Sequence, residues 1–211
     1  MLKIWGRASS SNVQKVLWTA AEIGVAFERI DAGGSFGRTN EAQYRAMNPN
    51  GLVPTIQDDD FVLWESNTII RYLAAKHGAT ALYPAGLRER ADVERWQDWG
   101  STVLAPAIFP AFYGLVRTAA KDRNVAAIQA SADKTAAALA IVDGQLAGRD
   151  YLCGAQLTLA DMGVGINTYR WLNLDYASIG YQRPAMPRLQ AWYERLCARP
   201  AFREWVMTPI V

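Results

Sequence analysis

Three short stretches carry side chains that could hold or activate a small molecule. Glu65-Ser66 places a carboxylate and a hydroxyl where a helix is expected to begin, with Ile69, Ile70, Leu73 and Ala74 on one face behind them. Free N–H groups at a helix N-terminus favour a bound carboxylate, and Glu65 favours a bound ammonium, so a zwitterionic amino-acid head group fits both. Val53 precedes Pro54 and is therefore held extended. A cis bond there would turn the Val53 N–H and C=O outward, where an extended peptide could pair with them. Ser9-Ser10-Ser11-Asn12 falls between an expected strand and an expected helix, the edge at which open α/β sheets bind ligands. Each stretch also has a plain reading: a hairpin followed by a helix capped by Ser66, and a polar run that only caps the next helix.

The surrounding pattern supplies the elements that would position these groups. Leu2 to Gly6 alternates as a short strand, and Arg7 to Ser11 is a polar loop. Val13, Val16, Leu17, Ala20 and Ala21 recur at helical spacing until Gly24. Ala26 to Ile30 reads as a second strand, parallel to the first through a right-handed crossover. Asp31 to Thr39 is glycine-rich and expected to be a mobile loop, and residues 40–47 form a short helix. Asn48-Pro49-Asn50-Gly51 signals a turn into a short strand. Asp58-Asp59-Asp60 turns the chain, and Phe61 to Trp64 returns it before the helix at Ser66. The order β-α-β-α-β-β-α is that of a thioredoxin-like domain. A thioredoxin would carry redox cysteines in the first loop, but this chain has serines, so disulfide exchange by a protein thiol there is excluded.

The expected division is a thioredoxin-like domain over residues 1–78, a Gly/Pro-containing linker over 79–88 and an all-helical domain over 89–211. Trp96 and Trp99 read as core on the first helix of the second part, and Pro106 and Pro110 are expected to bend or break it. Val125, Ile128, Ala132, Thr135, Leu139, Val142 and Leu146 form the seam of a long bundle helix closed by Gly148. Thr158-Leu-Ala-Asp161 is a capping box with a structural role. Residues 171–181 read as loop. Leu189, Trp192, Tyr193 and Leu196 make a further helix, and the tail from Phe202 packs back on the fold.

Composition narrows the function classes. The 211 residues are 51% apolar, with eight Trp and nine Tyr, enough for substantial cores. The net charge of +2 is too small for nucleic acid or an anionic membrane to be the main partner. No apolar run is expected to reach membrane-spanning length, and the N-terminus lacks a signal-peptide pattern. Cys153 and Cys197 are far apart, which favours free thiols in a reducing cytoplasm. His77 is the only histidine, so a histidine-rich metal site is excluded; its place before Gly78 suits a helix C-terminus better than catalysis.

Asn48-Pro49-x-Gly51-x-Val53-Pro54 followed by Glu65-Ser66-x-x-Ile69 resembles the glutathione-binding half of cytosolic glutathione transferases, and the likeness extends through the Thr158-x-x-Asp161 element of the helical half. The closest fit is to bacterial serine-type (theta-, zeta- or nu-like) members. The resemblance implies a thioredoxin-like N-terminal domain with an all-α bundle, glutathione as co-substrate, no metal, and a cytoplasmic homodimer. It also implies that a hydroxyl of the Ser10, Ser11, Asn12 loop donates to the glutathione sulfur, with Ser10 matching that position best. Val53 and Pro54 would hold the cysteinyl backbone, and Glu65 with Ser66 the γ-glutamyl head. Phe109, Phe112 and Tyr113 would line the electrophile pocket, although core packing explains them as well. Arg117 could lie near the glutathione carboxylates, but a solvated arginine is the simpler reading.

A free thiol titrates near pH 8.5, and lowering that by about two units takes about 2.7 kcal/mol. One hydrogen bond to an anion supplies about 1.5–3 kcal/mol, and a helix N-terminus adds a few tenths to about 1. The implied reaction is attack of the thiolate on a small electrophile, including displacement of halide. Its rivals are a non-catalytic ligand-binding relative and a glutathione-dependent disulfide or peroxide reductase.

Overall fold

A computed structural model describes residues 1–211. The N-terminal part is a four-stranded sheet in the order β2-β1-β3-β4, built from β1 (Leu2–Trp5), β2 (Phe27–Ile30), β3 (Thr55–Asp58) and β4 (Phe61–Trp64). β1 runs parallel to β2 and antiparallel to β3, and β3 pairs antiparallel with β4. Three helices accompany the sheet: α1 (Ser11–Glu22), α2 (Ala42–Met47) and α3 (Ser66–Lys76). The glycine-rich segment after β2 contains a short 3-10 turn at Gly34–Phe36.

α1 is the hinge of the architecture. It packs against α3 on one side and against α7 (Leu159–Asn173) on the other. With both flanks covered, it buries the unbroken run from Val13 to Ala20, polar side chains included. Trp18 is fully buried and meets Phe202 edge-on at 4.8 Å, so the tail does pack back as expected.

The remaining helices are α4 (Leu87–Trp99), α5 (Ala105–Phe112), α6 (Val125–Gln145), α8 (Pro187–Cys197) and α9 (Pro200–Trp205). Of the two expected outcomes, a bend or a break, the break does not occur: Pro106 and Pro110 do not end the helix. The path stays helical from Leu87 to Arg117 because wider π turns at Gly100–Leu104 and Tyr113–Arg117 flank the proline-containing segment. Ser131 of α6 helps: its Oγ accepts from the Ala111 amide at 3.0 Å and donates to the Ala107 carbonyl at 2.5 Å, the two groups an undisturbed ladder would join directly.

Leu87–Arg117 (31 residues) and Val125–Gln145 (21 residues) are long and apolar enough to cross a bilayer by length and composition, which corrects the expectation that no run reaches that size. In this fold they pack against each other, burying Ile108, Ala111, Ile128 and Leu139 among others. Val125, assigned to the seam from its spacing, is exposed. Trp171 to Asn173 continue α7 instead of opening a loop, and Tyr176–Ile179 form a 3-10 turn. The capping box at Thr158 and Asp161 is present. The fully buried Asp161 carboxylate accepts from the Leu152 and Thr158 amides, the Thr158 hydroxyl and the Trp192 indole at 2.9–3.2 Å.

Candidate functional site

The chain leaves β1 through Gly6, at φ 155°, where an added Cβ would sit 2.4 Å from Val13. That close approach brings the loop Arg7 to Ser10 down onto the start of α1. Ser10 is the N-cap, with extended backbone, and its carbonyl takes the Gln14 amide at 2.8 Å. Its hydroxyl makes no capping bond. The side chain that the capping reading would occupy is therefore left for another partner. Ser10, Ser11 and Asn12 share a cavity of about 500 Å3 with Phe109 and Phe112.

Val53 lies against this loop. An ideal Cβ on Gly6 would be 3.3 Å from the Val53 side chain. The Val53-Pro54 bond is cis, and the β3 ladder begins after it, at Thr55. Pro54 is buried, and the Trp5–Thr55 pairing keeps it beside the serine loop. The preceding turn is pinned by side chains: Asn48 Nδ2 donates to the Leu52 carbonyl at 2.9 Å and to Thr55 Oγ1 at 3.1 Å, and the Tyr44 hydroxyl donates to the same carbonyl at 2.7 Å.

Glu65, not Ser66, occupies the N-cap of α3, which corrects the expected cap. Its φ of 74° is in the left-handed region, unusual for a residue with a side chain. The Glu65 carboxylate is exposed, whereas Ser66 is the first helical residue and buried. Ser66 Oγ donates to Asn12 Oδ1 at 3.3 Å and accepts from Lys15 Nζ at 3.3 Å. Lys15 also donates to Asn67 Oδ1 at 3.2 Å, and Asn67 Nδ2 reaches the Gln97 carbonyl and Ser101 Oγ at 3.2 and 3.1 Å. Burial lowers the Lys15 ammonium to about 8, while the charge of Glu65 acts the other way. Asn12, Lys15, Glu65, Ser66, Asn67 and Ser101 line a polar cavity of about 410 Å3, and Asn12 and Ser101 belong to it and to the serine-loop cavity alike. The two cavities thus adjoin.

Phe109 and Phe112 line the serine-loop cavity, whereas Tyr113 lines not this cavity but an outer one that shares Arg7, Ser9 and both phenylalanines with it. Phe112 is buried, whereas Phe109 and Tyr113 are 58% and 54% exposed. Sequence reasoning missed three contributors. Lys15 follows Gln14, on the side of the helix opposite the apolar positions, and reads as solvent-facing. Arg7 and Arg170 have no local pattern to mark them. Arg170 Nη2 donates to the Ser9 carbonyl at 3.1 Å, and its guanidinium lies 4.7 Å from the Phe112 ring centre. Arg117, read as solvated, lines both the serine-loop cavity and its outer neighbour, and donates to the main-chain oxygen of Val211, the last residue, at 2.7 Å.

Cys153 and Cys197 are free, and burial raises both thiols, Cys153 to about 12. Neither lines the cavities at the serine loop. His77 caps the C-terminus of α3.

Family models for the glutathione S-transferase N-terminal and C-terminal domains match residues 1–75 and 102–200. The chain is 41% identical to glutathione S-transferase GstB of Escherichia coli over 212 residues, all of both chains. It is 30% identical to probable glutathione S-transferase GSTF1 of Oryza sativa, covering 99% of this chain and 97% of that one. The crystal structure of the theta class glutathione S-transferase from Xanthomonas axonopodis pv. citri with glutathione bound superposes with a TM-score of 0.93 at 45% identity, covering 100% and 99% of the two chains. With two family models, one for each half, and relatives matched end to end, the chain belongs to the glutathione S-transferase family.

Proposed function

We propose that the protein binds glutathione across the two adjoining cavities and catalyses attack of its thiolate on a small electrophile. The carrying observation is the Ser10 hydroxyl, which stands at the N-terminus of α1 without a capping bond while Asn12 connects its cavity to the Glu65–Ser66 pocket. In this reading Ser10 donates to the sulfur, and the α1 N-terminus adds its partial positive charge. Ser11 and Asn12, the first two residues of α1, are the secondary donors.

The Val53 N–H and C=O pair with the cysteinyl backbone beside Pro54. Glu65 receives the γ-glutamyl ammonium, and the Ser66 amide receives its carboxylate, with the Ser66 hydroxyl turning to it from Asn12. Phe109, Phe112 and Tyr113 form the apolar side of the electrophile pocket. Catalysis then rests on proximity and on a larger thiolate fraction. Assembly as a two-fold dimer is proposed on the family relationship.

The test is an ultraviolet titration of enzyme-bound glutathione in wild type and Ser10→Ala. Loss of one hydrogen bond to the anion is expected to raise the bound thiol by about 1–2 pKa units. An identical titration in the two proteins, with no electrophile turned over by the wild type, would favour a non-catalytic binding role. Absence of any glutathione binding by calorimetry would remove the proposal altogether.

A further inference from the structure

The cavity beside the serine loop is lined by Arg7, Arg117 and Arg170, and no aspartate or glutamate lines it. The three guanidinium groups come from separate parts of the chain: the loop after β1, the π turn that follows α5, and the end of α7. Arg29, Arg71, Arg95, Arg188, Arg195 and Arg199 pair with aspartate or glutamate side chains, and none of these three does. Asp31 lines the outer neighbouring cavity but is engaged by Arg29. The hydrogen bonds to the Ser9 carbonyl and to the main-chain oxygen of Val211, the last residue, use one donor each of Arg170 and Arg117, and a guanidinium has five.

Like charges do not gather in a part-buried cavity without cost. Burial, and then the neighbouring guanidinium charges, lower Arg170 to about 10, and burial with the Arg117 charge lowers Arg7. A bound anion would offset both the desolvation and the mutual repulsion. Planar, fixed donor geometry makes arginine suited to a carboxylate in particular. The Phe112 ring under Arg170, with Phe109 at the rim, offers an apolar seat for the carbon skeleton next to that anion.

We propose that this cavity takes an electrophile that carries its own carboxylate, held by Arg7, Arg117 and Arg170. The proposal rests on the glutathione transferase reading above and specifies its co-substrate class. For a carboxylate-bearing alkyl halide, the glutathione sulfur forms the new bond to carbon as the carbon–halogen bond breaks. Halide leaves with the bonding pair, and the thiol proton has already passed to solvent. Arg170 also holds the carbonyl of Ser9, so the carboxylate site and the serine that faces sulfur are fixed to each other through one side chain.

The experiment uses two matched pairs that differ in one charge. Iodoacetate and iodoacetamide share carbon centre and leaving group. Their conjugates, S-carboxymethylglutathione and S-carbamoylmethylglutathione, share every other carboxylate, so the glycyl end of glutathione cancels. Wild type is expected to bind the carboxymethyl conjugate at least tenfold tighter. It is also expected to show at least tenfold higher kcat/KM for iodoacetate once each rate is divided by its uncatalysed reaction with glutathione. In Arg7→Met and Arg117→Met both ratios are expected to fall towards one, with Arg170→Lys intermediate; thermal melts verify folding. Ratios near one in wild type, with both conjugates bound, would overturn the proposal alone, as would ratios unchanged in all three variants. Failure of glutathione and both conjugates to bind would overturn the glutathione reading itself.

Discussion

Lys15 Nζ donates to Ser66 Oγ at 3.3 Å, joining the centre of α1 to the first residue of α3 beneath the Glu65 carboxylate. A lysine this buried is held by its partners and not by water. The same ammonium also orients Asn67, which reaches across to Gln97 and Ser101 of the helical half. One buried cation therefore positions the floor of the polar cavity.

This placement has a pH signature. An unfolded lysine titrates near 10.4, and burial brings Lys15 to about 8 in the folded protein. Between those values the unfolded chain binds the extra proton, so stability is expected to rise with pH through that window and to be flat with respect to Lys15 below it. The upper bound on the gain is about 3 kcal/mol. Other groups titrate there too, so the measurement is the difference between wild type and Lys15→Met in denaturant melts from pH 7 to 10.5. The variant is expected to lack this rise. It is also expected to raise the KM for glutathione, since Ser66 and Asn67 lose their anchor. Parallel stability curves for the two proteins would contradict the assignment.

Glu65 separates stability from binding. At φ 74° its backbone is strained for any residue with a Cβ, and glycine would relieve on the order of 1 kcal/mol. Glu65→Gly is therefore expected to hold or raise Tm while weakening glutathione binding tenfold or more. Glu65→Gln is expected to weaken binding without the gain in Tm. A Glu65→Gly protein that melts lower and binds normally would reverse both claims.

The elements of the fold were largely legible because apolar periodicity and turn residues agree with one another over residues 2–76. What stayed hidden has physical causes. Lys15 looks solvent-facing in a one-sided helix, but α1 is covered by both α3 and α7. Serine is a preferred N-cap, which pointed to Ser66; the chain instead leaves β4 through a left-handed Glu65, so the cap falls one residue earlier. Pro106 and Pro110 obey the rule that they lack a donor, but wider turns on either side keep the path helical, and the hydroxyl of Ser131 bridges the neighbouring Ala107–Ala111 rung. Arg7 and Arg170 meet across most of the chain, a proximity no local spacing encodes.

Ser131 offers a direct test of that explanation. Its hydroxyl serves the Ala107 carbonyl and the Ala111 amide inside the helix pair, where Ala111 is fully buried. Ser131→Ala removes the bridge and leaves both groups dependent on local rearrangement. The expected cost is about 1–3 kcal/mol by denaturant melts, with faster amide exchange at Ala111. Unchanged exchange there would mean the ladder closes without the serine.

Asp161 carries the largest structural consequence. Burial raises its carboxyl, whereas two amides, a hydroxyl and an indole N–H all donate to it and favour the charged form. These donors tie the start of α7 to the Tyr151–Gly154 turn and to Trp192 of α8. Asp161→Asn replaces one acceptor oxygen with an amino group that faces donors, so at least one buried N–H loses its partner. The expected loss is about 2–4 kcal/mol, read as a lower denaturant midpoint at unchanged slope. Because α7 also carries Arg170 and packs on α1, partial local opening would reach the serine loop as well. The two effects are separable. A folded Asp161→Asn protein at low temperature is expected to keep its affinity for glutathione and to lose it only on warming towards the lowered Tm. A variant that is stable yet fails to bind glutathione at low temperature would show instead that Asp161 acts on the site itself.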